Sequence, residues 1–455
     1  MTTIAIIGGG NGGLCLAQGL ARAGIDFTVY ERDATVTSRE QGYRVHIDPN
    51  GSAALAECLP EPLWNAFVAT AGEAGTAGFG FLTEKLAPLC LVEPEIFRGG
   101  HDDPASGHHA ASRVTLRQIL LAGLGDRVRF GKEFVDHEQL DDGRVRVNFA
   151  DGTSAEADFV VAADGANSRL RRRVLPAASR VDVGAMGIGG KLPLAGADWL
   201  PHHLAAGLNV IMPPRDFLFT AAFQRRHTET DARALLAEDI AAAGLDVAEL
   251  FRHFENTDYM MWAFVLPTGT VDIDSPGTVL RDLVLERARD WDERLRRVLA
   301  ETAPDTINAF AFRAATKVKP WPTGNITLLG DAIHSMPPTG GVGANTALRD
   351  AALLCRALTD VDRGRSSLRE AVAGYEKEML KHGFAAVDTS VTRARQALSG
   401  RIARLGGRTF MRVCGAVPPL RRAVFKTRWT EPPRTGSDAP PATSDTDDGR
   451  IASRP

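Results

Sequence analysis

Ile4-Ala-Ile-Ile-Gly8-Gly-Gly10-Asn-Gly-Gly13 stands near the start of the chain and decides its fold. A short apolar run, suited to a parallel strand buried on both faces, passes directly into a glycine turn. Apolar residues at helical spacing follow as far as Gly24, and Phe27 to Tyr30 is typical of a second strand. The stretch therefore predicts a strand, a glycine turn, a helix and a strand, the unit that binds dinucleotides.

The three glycines of Gly8-x-Gly10-x-x-Gly13 each have a physical role in such a unit. One permits the tight turn, one lets the backbone approach a pyrophosphate, and one allows close contact between helix and strand. Glu31, at the end of the second strand, is placed to accept hydrogen bonds from ribose hydroxyls. The loop does not by itself choose FAD over NAD, and a glycine turn without a nucleotide is the alternative.

Two more buried strands are predicted far along the chain. Phe159-Val-Val-Ala-Ala runs into Asp164-Gly165, and Ile326-Thr-Leu-Leu runs into Gly330-Asp331. Because the parallel-sheet pattern returns after a long interruption, the nucleotide-binding domain is predicted to be assembled from separate segments.

The intervening region has a different pattern. Short alternating stretches separated by Gly and Pro turns predict an antiparallel sheet, at Leu208–Met212, Phe217–Phe223 and Met260–Leu266. Helices are predicted at 231–254 and 279–299. Upstream, Asp141-Asp142-Gly143 is a hairpin signal between the stretches Val128–Phe130 and Val145–Phe149.

Composition excludes several classes of protein. The 455 residues exceed one compact core, and 44% hydrophobic with 24% charged residues is typical of a globular protein. The 53 Lys+Arg nearly balance 56 Asp+Glu, which gives no support to nucleic-acid binding. Five widely spaced cysteines predict neither a disulfide framework nor a metal site. With no signal peptide and no apolar run of membrane-spanning length, a cytoplasmic location is expected.

Three further segments narrow the choice of cofactor. They are Arg113-Val-Thr-Leu-Arg117, Asp164-Gly165, and Gly330-Asp331-Ala-Ile-His334-Ser-Met-Pro-Pro followed by Gly340-Gly341-Val-Gly343-Ala344-Asn345. Together with the first unit, and over roughly residues 3 to 390, they resemble the class A (single-component) FAD-dependent monooxygenases of the aromatic hydroxylase family, which includes the salicylate hydroxylases. Within that family, Trp291-Asp-Glu-Arg, Lys319-Pro-Trp321 and Tyr375-Glu are most similar to the tetracycline-inactivating enzymes.

The resemblance implies a noncovalent FAD site. Glu31 would hold the adenosine ribose, Arg113 and Arg117 would contact the FAD chain, and Asp331 would bind near the ribityl or pyrophosphate group. The helix starting near Gly343 would stabilise the reduced ring. The implied cofactor-binding set is Gly8, Gly10, Gly13, Glu31, Arg44, Arg113, Arg117, Asp164, Asp331, Gly341, Gly343, Ala344 and Asn345.

Several residues have competing interpretations. Arg44 could contact the cofactor or form a surface ion pair. His334 is a weak candidate for a general base, and bracing the loop by hydrogen bonding is the stronger hypothesis. A set of apolar residues could line a substrate pocket or form plain sheet core, namely Met212, Phe217, Phe219, Phe223, Met260 and Trp262. The basic segment Arg393 to Arg428 predicts a solvated face or pairing with the protein's own acids, and a membrane-surface role is the alternative.

The predicted fold class is α/β, with a discontinuous Rossmann-like FAD-binding domain (1–75, 101–178, 316–358). A mixed α+β substrate domain with an antiparallel sheet (76–100, 179–315), C-terminal helices (359–429) and a disordered tail (430–455) complete the chain.

The resemblance further implies NADPH or NADH as a co-substrate. Gly187-Ile-Gly189 lacks the third glycine of a second dinucleotide loop, so the nicotinamide nucleotide is expected to bind only transiently. O2 would be carried as a flavin C4a-hydroperoxide to an aromatic or polyketide-like molecule. Baeyer–Villiger or antibiotic-inactivating oxidation on the same scaffold, and a flavoprotein without turnover, remain alternatives. The absence of Trp-x-Trp disfavours a tryptophan-type halogenase. A monomer or homodimer is expected.

Overall fold

The structure is a computed structural model that describes residues 2–36, 43–73, 75–98 and 103–429. Within these residues the strands are β1 (Ile4–Ile7), β2 (Phe27–Tyr30), β3 (Arg44–Ile47), β4 (Gly72–Glu73), β5 (Phe79–Leu82), β6 (Pro88–Val92), β7 (His109–Ser112), β8 (Val128–Arg129), β9 (Phe134–Gln139), β10 (Val145–Phe149), β11 (Ser154–Ala157), β12 (Phe159–Ala162), β13 (Arg180–Pro193), β14 (Leu208–Ile211), β15 (Phe217–Phe223), β16 (Tyr259–Pro267), β17 (Asn308–Ala315) and β18 (Ile326–Leu328).

The helices are α1 (Asn11–Ala23), α2 (Pro49–Cys58), α3 (Glu61–Thr70), α4 (Pro94–Arg98), α5 (Arg113–Leu121), α6 (Arg169–Val174), α7 (His202–Ala206), α8 (Glu229–Ala242), α9 (Val247–Leu250), α10 (Gly277–Arg287), α11 (Glu293–Glu301), α12 (Asp331–His334), α13 (Gly343–Asp362), α14 (Leu368–Ala397), α15 (Arg401–Ala416) and α16 (Pro418–Trp429).

A five-stranded parallel sheet in the order β18-β12-β1-β2-β8 forms the first layer. All four residues of β1 are buried, as expected for a central strand covered on both faces. The helix α1 that follows ends at Gly24, whose left-handed φ of 75° closes its last turn. Because β12 and β18 pair with this sheet from distant parts of the chain, the prediction that it is built from separate segments is confirmed.

One predicted pairing near this sheet is wrong. The turn at Asp141-Asp142-Gly143 joins β10 to β9, whereas residues 128–129 form the edge strand β8 and pair in parallel with β2. The β9 stretch carries Asp136, His137 and Glu138, so it lacks the apolar alternation that marks a half-buried strand.

The second layer is a seven-stranded sheet in the order β17-β13-β16-β15-β14-β5-β6, mostly antiparallel. It confirms the predicted α/β class with a second, largely antiparallel sheet. One face of this sheet is covered by α7, α10 and α11 and forms its own apolar core around Trp262 and Phe264. The helices α8 and α9 instead pack into the core of the parallel sheet, α8 through Ala232, Leu236 and Ile240 and α9 through Leu250.

The long helix α14 runs between the two layers. Near its start the Tyr375 hydroxyl donates to the carbonyl of Leu328 at 2.8 Å, and Glu376 accepts from the indole of Trp321 at 3.1 Å. Near its end Ala394 and Ala397 pack against the seven-stranded sheet. Tyr375, Glu376 and Trp321, which contributed to the resemblance to tetracycline-inactivating enzymes, therefore attach this helix to β18.

No helix among the residues described is both long enough and apolar enough to traverse a lipid bilayer. The predicted disordered tail, residues 430–455, lies outside the described residues.

Candidate functional site

The glycine loop between β1 and α1 has two tight positions and one open one. A Cβ on Gly8 would lie 2.3 Å from the carbonyl oxygen of Ala163, and a Cβ on Gly13 would lie 2.2 Å from that of Gly8. Gly8 also has a φ of 113°, which side chains rarely adopt. A Cβ on Gly10 would meet no atom within 4 Å. Gly8 and Gly13 are thus required by the protein's own packing, whereas Gly10 borders free space.

Glu31 holds this loop through its carboxylate. Its Oε2 accepts from the backbone N–H of Gly9 at 2.7 Å, and its Oε1 accepts from that of Asp33 at 2.9 Å. Arg117 on α5 lies beside this pair, with nitrogens 3.9 Å from Glu31 Oε2 and 3.8 Å from Asp33 Oδ2. The Nε and Nη2 of Arg117 are buried and have no hydrogen-bond partner among the described residues. Since buried donors are nearly always satisfied, they indicate a ligand with acceptor oxygens here.

Asp164 and Asp331 follow the carboxyl ends of β12 and β18. Asp164 Oδ2 accepts from the backbone N–H of Arg169 at 2.8 Å, while its buried Oδ1 has no hydrogen-bond partner in the part of the chain that the structure describes. Burial raises the pKa of Asp164. Asp331 is exposed at the first position of α12, directly after Gly330 with its φ of 63°. Arg113 is exposed at the first position of α5. Both exposed residues can reach a ligand without rearrangement of the core.

The segment Gly341–Asn345 leads the chain that follows α12 into α13. Gly341 has a left-handed φ of 64°, and α13 begins at Gly343, with Ala344 half-buried beside it. The Asn345 side chain is buried and already engaged, because its Oδ1 accepts from the Asp48 N–H and its Nδ2 donates to the His46 carbonyl, each at 2.9 Å. Its amide therefore joins α13 to β3, so a cofactor contact from this residue would come from its backbone.

β3 and the residue before it connect the two layers. The Tyr43 hydroxyl lies 2.8 Å from the Gly189 carbonyl in β13, and the guanidinium of Arg44 donates to the Ala222 carbonyl in β15 at 3.2 Å. The backbone of His46 in the same segment accepts from Asn345 in α13. This short strand therefore lies at the boundary between the glycine turn of α13 and the seven-stranded sheet.

Arg44 is a buried cation without a carboxylate partner among the described residues. It is 6% exposed, so the surface ion pair considered from the sequence is wrong. Its second contact is the ring of His46, at 3.5 Å. Burial lowers the pKa of Arg44 to about 10. Near it, the Tyr259 hydroxyl is buried and makes no hydrogen bond of ordinary geometry to the residues that the structure describes.

A buried triad of His334, Asp350 and His382 links α12 and α13 to α14. His334 Nε2 donates to Asp350 Oδ2 at 2.6 Å, and His382 Nε2 donates to Asp350 Oδ1 at 2.7 Å. Asp350 Oδ2 also accepts from the Gly330 N–H at 2.8 Å. His334 and Asp350 have 0% exposed surface, so His334 is enclosed by protein. Asp350 and His382 were missed from the sequence; the only available signal was the place of Asp350 five residues after Asn345.

The face of the seven-stranded sheet opposite α10 and α11 carries half-buried apolar side chains. Phe217, Phe219 and Met261 lie on it, together with Tyr259. Strand alternation places Met260 and Trp262 on the covered face, each 0% exposed, so neither can line a pocket on this one. Gly187 keeps the face flat, since a Cβ there would meet the Phe310 ring at 2.6 Å.

The chemistry of this site suits a dinucleotide cofactor. The free space at Gly10, the unsatisfied donors of Arg117 and the start of α1 would receive a pyrophosphate. The glycine turn at Gly341 leaves backbone exposed next to β3, which suits a flat ring system. The residues present therefore fit FAD.

Comparison with protein families agrees with this assignment. A family model described as an FAD binding domain matches residues 282–390, and one described as an NAD(P)-binding Rossmann-like domain matches residues 6–67. The second match covers the first glycine-loop unit, β1 to β2 and beyond.

Individual relatives are similar over most of the chain. A solved structure of a protein from Photorhabdus luminescens, described as an FAD-containing monooxygenase, is 31% identical with a TM-score of 0.74 and covers 88% of this chain and 99% of its own. The dual O-methyltransferase/FAD-dependent monooxygenase elcB of Phaeosphaeria nodorum is 29% identical over 90% of this chain and 46% of its own length. This chain thus spans less than half of that curated relative. Tetracycline destructase Tet(51) shares the fold, with a TM-score of 0.59, 16% identity, and coverage of 94% of this chain and 98% of its own.

Proposed function

The chain belongs to the family of FAD-dependent monooxygenases, and from that premise we propose that it uses NAD(P)H and O2 to hydroxylate an aromatic or polyketide-like small molecule. FAD, when bound, accepts a hydride from the nicotinamide and activates O2. The protein's own part is to bind the cofactor, orient the substrate and exclude water.

One observation carries the proposal: β3 joins the cofactor side to an apolar sheet face. The His46 carbonyl is bound by Asn345 of α13, and two residues earlier the Arg44 guanidinium is bound to β15. A ring held over the glycine turn before α13 would consequently lie close to the half-buried aromatic residues of the seven-stranded sheet. That placement supports oxygen transfer to a flat, apolar molecule.

On the cofactor side, we propose that Glu31 and Arg117 act together. Glu31 is fixed by two backbone N–H groups, so its position does not depend on a ligand. Arg117 has donors to spare and can form charge-assisted hydrogen bonds with phosphate or ribose oxygens. Arg113 and Asp331, both exposed at the starts of α5 and α12, complete the set.

On the substrate side, we propose that Arg44 interacts with a negative charge or a carbonyl oxygen of the substrate. A buried arginine without a carboxylate is costly unless a ligand supplies the missing acceptor. Tyr259, whose hydroxyl is unsatisfied, lies on the same face as Phe219 and Met261. Phenolic polyketides and aromatic acids carry both features that this face offers to bind, a flat apolar body and an acidic oxygen.

NAD(P)H is proposed to bind transiently. The sequence has a second glycine pair, Gly187 and Gly189, which lies inside β13. The ring of Phe310 occupies the space beside Gly187. These glycines therefore form sheet, and the first loop is taken by FAD. A nicotinamide would have to reach the ring from solvent.

The test uses the purified protein reconstituted with FAD. Aromatic acids and phenolic polyketides are screened for faster NAD(P)H oxidation, and product from the best compound is analysed after turnover under labelled O2. One labelled oxygen atom in the product supports the proposal. Stimulated oxidation that yields only hydrogen peroxide would contradict it and favour an oxidase; insertion of oxygen into a carbon–carbon bond would favour Baeyer–Villiger chemistry.

A further inference from the structure

The helix α15 presents a row of apolar residues to solvent. Ile402 is 89% exposed and Leu405 62%, and the next turns expose Phe410 (46%) and Val413 (45%), followed by Val417 (42%) just after the helix. These five residues, called the apolar stripe below, fall on one side of a helix with 3.6 residues per turn. Isolated exposed apolar residues are ordinary, but a continuous stripe marks an interaction surface.

The opposite side of α15 attaches it to β6 and to the end of α14, through the apolar residues Met411 and Cys414 and through polar contacts. Arg408 donates to Glu84 at 3.1 Å, and Arg404 donates to the carbonyl of Ala397 at 2.7 Å. Gly415 packs so closely on β6 that a Cβ would lie 2.4 Å from the Leu89 carbonyl oxygen. The apolar side is therefore held outward by specific contacts.

The segment of chain that carries the stripe has charge of one sign. From Arg393 to Arg428 the chain contains ten Arg or Lys and no Asp or Glu. Some of these cations are used internally, as Arg408 is with Glu84 and Arg421 is with Glu93. Arg395, Arg412 and Arg422 are exposed and form no ion pair with any residue that the structure describes. An apolar stripe bordered by cations is complementary to an anionic lipid surface.

We propose that α15 docks the protein on an anionic phospholipid membrane surface, with the apolar stripe inserted between headgroups and the exposed arginines on the lipid charges. A second copy of this chain is a poorer occupant, because two such faces would bring basic rims together without an intervening acid. The segment 430–455 is a poorer one as well, since its only large apolar residue is Ile451. Docking in this way turns the β6 edge of the seven-stranded sheet toward the membrane, with α15 between them.

The test is co-sedimentation of the full-length protein, loaded with FAD, with vesicles of phosphatidylcholine alone or of two parts phosphatidylcholine to one part phosphatidylglycerol. Binding is expected only to the anionic vesicles and should weaken at high salt. Leu405→Asp should lower the partition coefficient at least about tenfold. Leu235→Asp is the matched control, because Leu235 on α8 is also 62% exposed and should leave binding unchanged. Arg412→Gln should weaken binding about fivefold, the effect of one basic residue near an anionic surface; Arg363→Gln, an exposed arginine outside the segment, should not.

Three results would overturn the proposal: no binding to the anionic vesicles, equal losses in Leu405→Asp and Leu235→Asp, or a dimer in light scattering that Leu405→Asp converts to a monomer. The last result would assign the stripe to a second copy. FAD content and the visible spectrum, measured on every variant, show that the fold is kept.

Discussion

His334 Nε2 lies 2.6 Å from Asp350 Oδ2, and neither side chain has any exposed surface. Burial opposes a charge on His334, but the charge and the hydrogen bond of Asp350 outweigh it and raise the pKa of His334. Burial likewise opposes the charged form of Asp350, but the two histidines prevail and lower the pKa of Asp350 to about 2. The pair joins α12 to α13, so it fixes the relative position of Asp331 and the Gly341 turn.

This ion pair predicts a pH window for stability. A histidine whose pKa is raised by folding stabilises fully below its unfolded pKa of about 6.5, and the contribution is lost as pH rises through the folded pKa. Asp350, with a lowered pKa, stabilises the fold above about pH 4 and loses this contribution as pH falls through about 2.

His334→Gln should therefore lower the free energy of unfolding by about 2 kcal/mol near pH 6 and by less at alkaline pH. Urea midpoints across pH measure this. His202→Gln, at an exposed histidine, should show no such trend; a constant difference in His334→Gln at all pH values would contradict a charged pair.

Asp331 and Asp305 form a matched pair for testing the cofactor site. Both are exposed acids within the first turn of a short helical segment, but only Asp331 follows a strand of the parallel sheet. Asp331→Ala should weaken FAD binding about ten- to a hundredfold, the worth of one charge-assisted hydrogen bond. Asp305→Ala should leave it unchanged. Fluorescence titration of the apoprotein with FAD gives both dissociation constants, and equal values would remove Asp331 from the site.

Local sequence pattern predicted the strands better than their partners. The run Ile4 to Ile7 and the glycine turn after it specify a buried strand and a helix start within a few residues, so that unit was predictable. The partner of β10 was not, because pairing depends on tertiary context and β9 lacks an alternating apolar pattern. His382 was equally unpredictable, since it meets Asp350 from 32 residues away on another helix.

The alternation of side chains along a strand distinguishes pocket lining from sheet core, two roles that the sequence had left open. Phe219 and Trp262 both belonged to one candidate pocket set, yet they lie on opposite faces of the sheet. Which face is covered by helices depends on where α10 and α11 pack, a long-range choice that the strand sequences do not contain. The burial of Arg44 depends in the same way on β15, far along the chain, where Ala222 accepts its hydrogen bond.

Removing the buried charge of Arg44 and removing that of Arg171 should have opposite effects on thermal stability. Among the described residues Arg44 makes a 3.2 Å bond to one carbonyl and a long contact to His46, whereas Arg171 donates to the carbonyls of Ala332 and Ala166. Because an unpaired buried cation is costly, Arg44→Met should raise the thermal midpoint of the ligand-free protein. Arg171→Met should lower it.

Measurements of ligand binding then distinguish the effect of Arg44 on stability from its proposed role in substrate binding. Arg44→Met should keep FAD affinity but lose preference for an aromatic carboxylate over its methyl ester, measured by flavin difference spectra. A tenfold loss of FAD affinity in Arg44→Met would instead return this residue to the cofactor site.

Gly10 and Gly13 distinguish what the glycine loop does for the cofactor from what it does for the fold. A Cβ on Gly10 meets nothing within 4 Å, and its φ of −82° is open to alanine. Gly10→Ala should therefore fold with an unchanged apoprotein midpoint, while its methyl group occupies the space expected for the pyrophosphate. FAD affinity should fall at least about tenfold, since the backbone can no longer approach the phosphates. A Cβ on Gly13 would sit 2.2 Å from the Gly8 carbonyl oxygen, so Gly13→Ala should lower the apoprotein midpoint as well. Thermal unfolding with and without FAD resolves the two cases, and normal FAD binding by Gly10→Ala would show that the open space beside it serves another ligand.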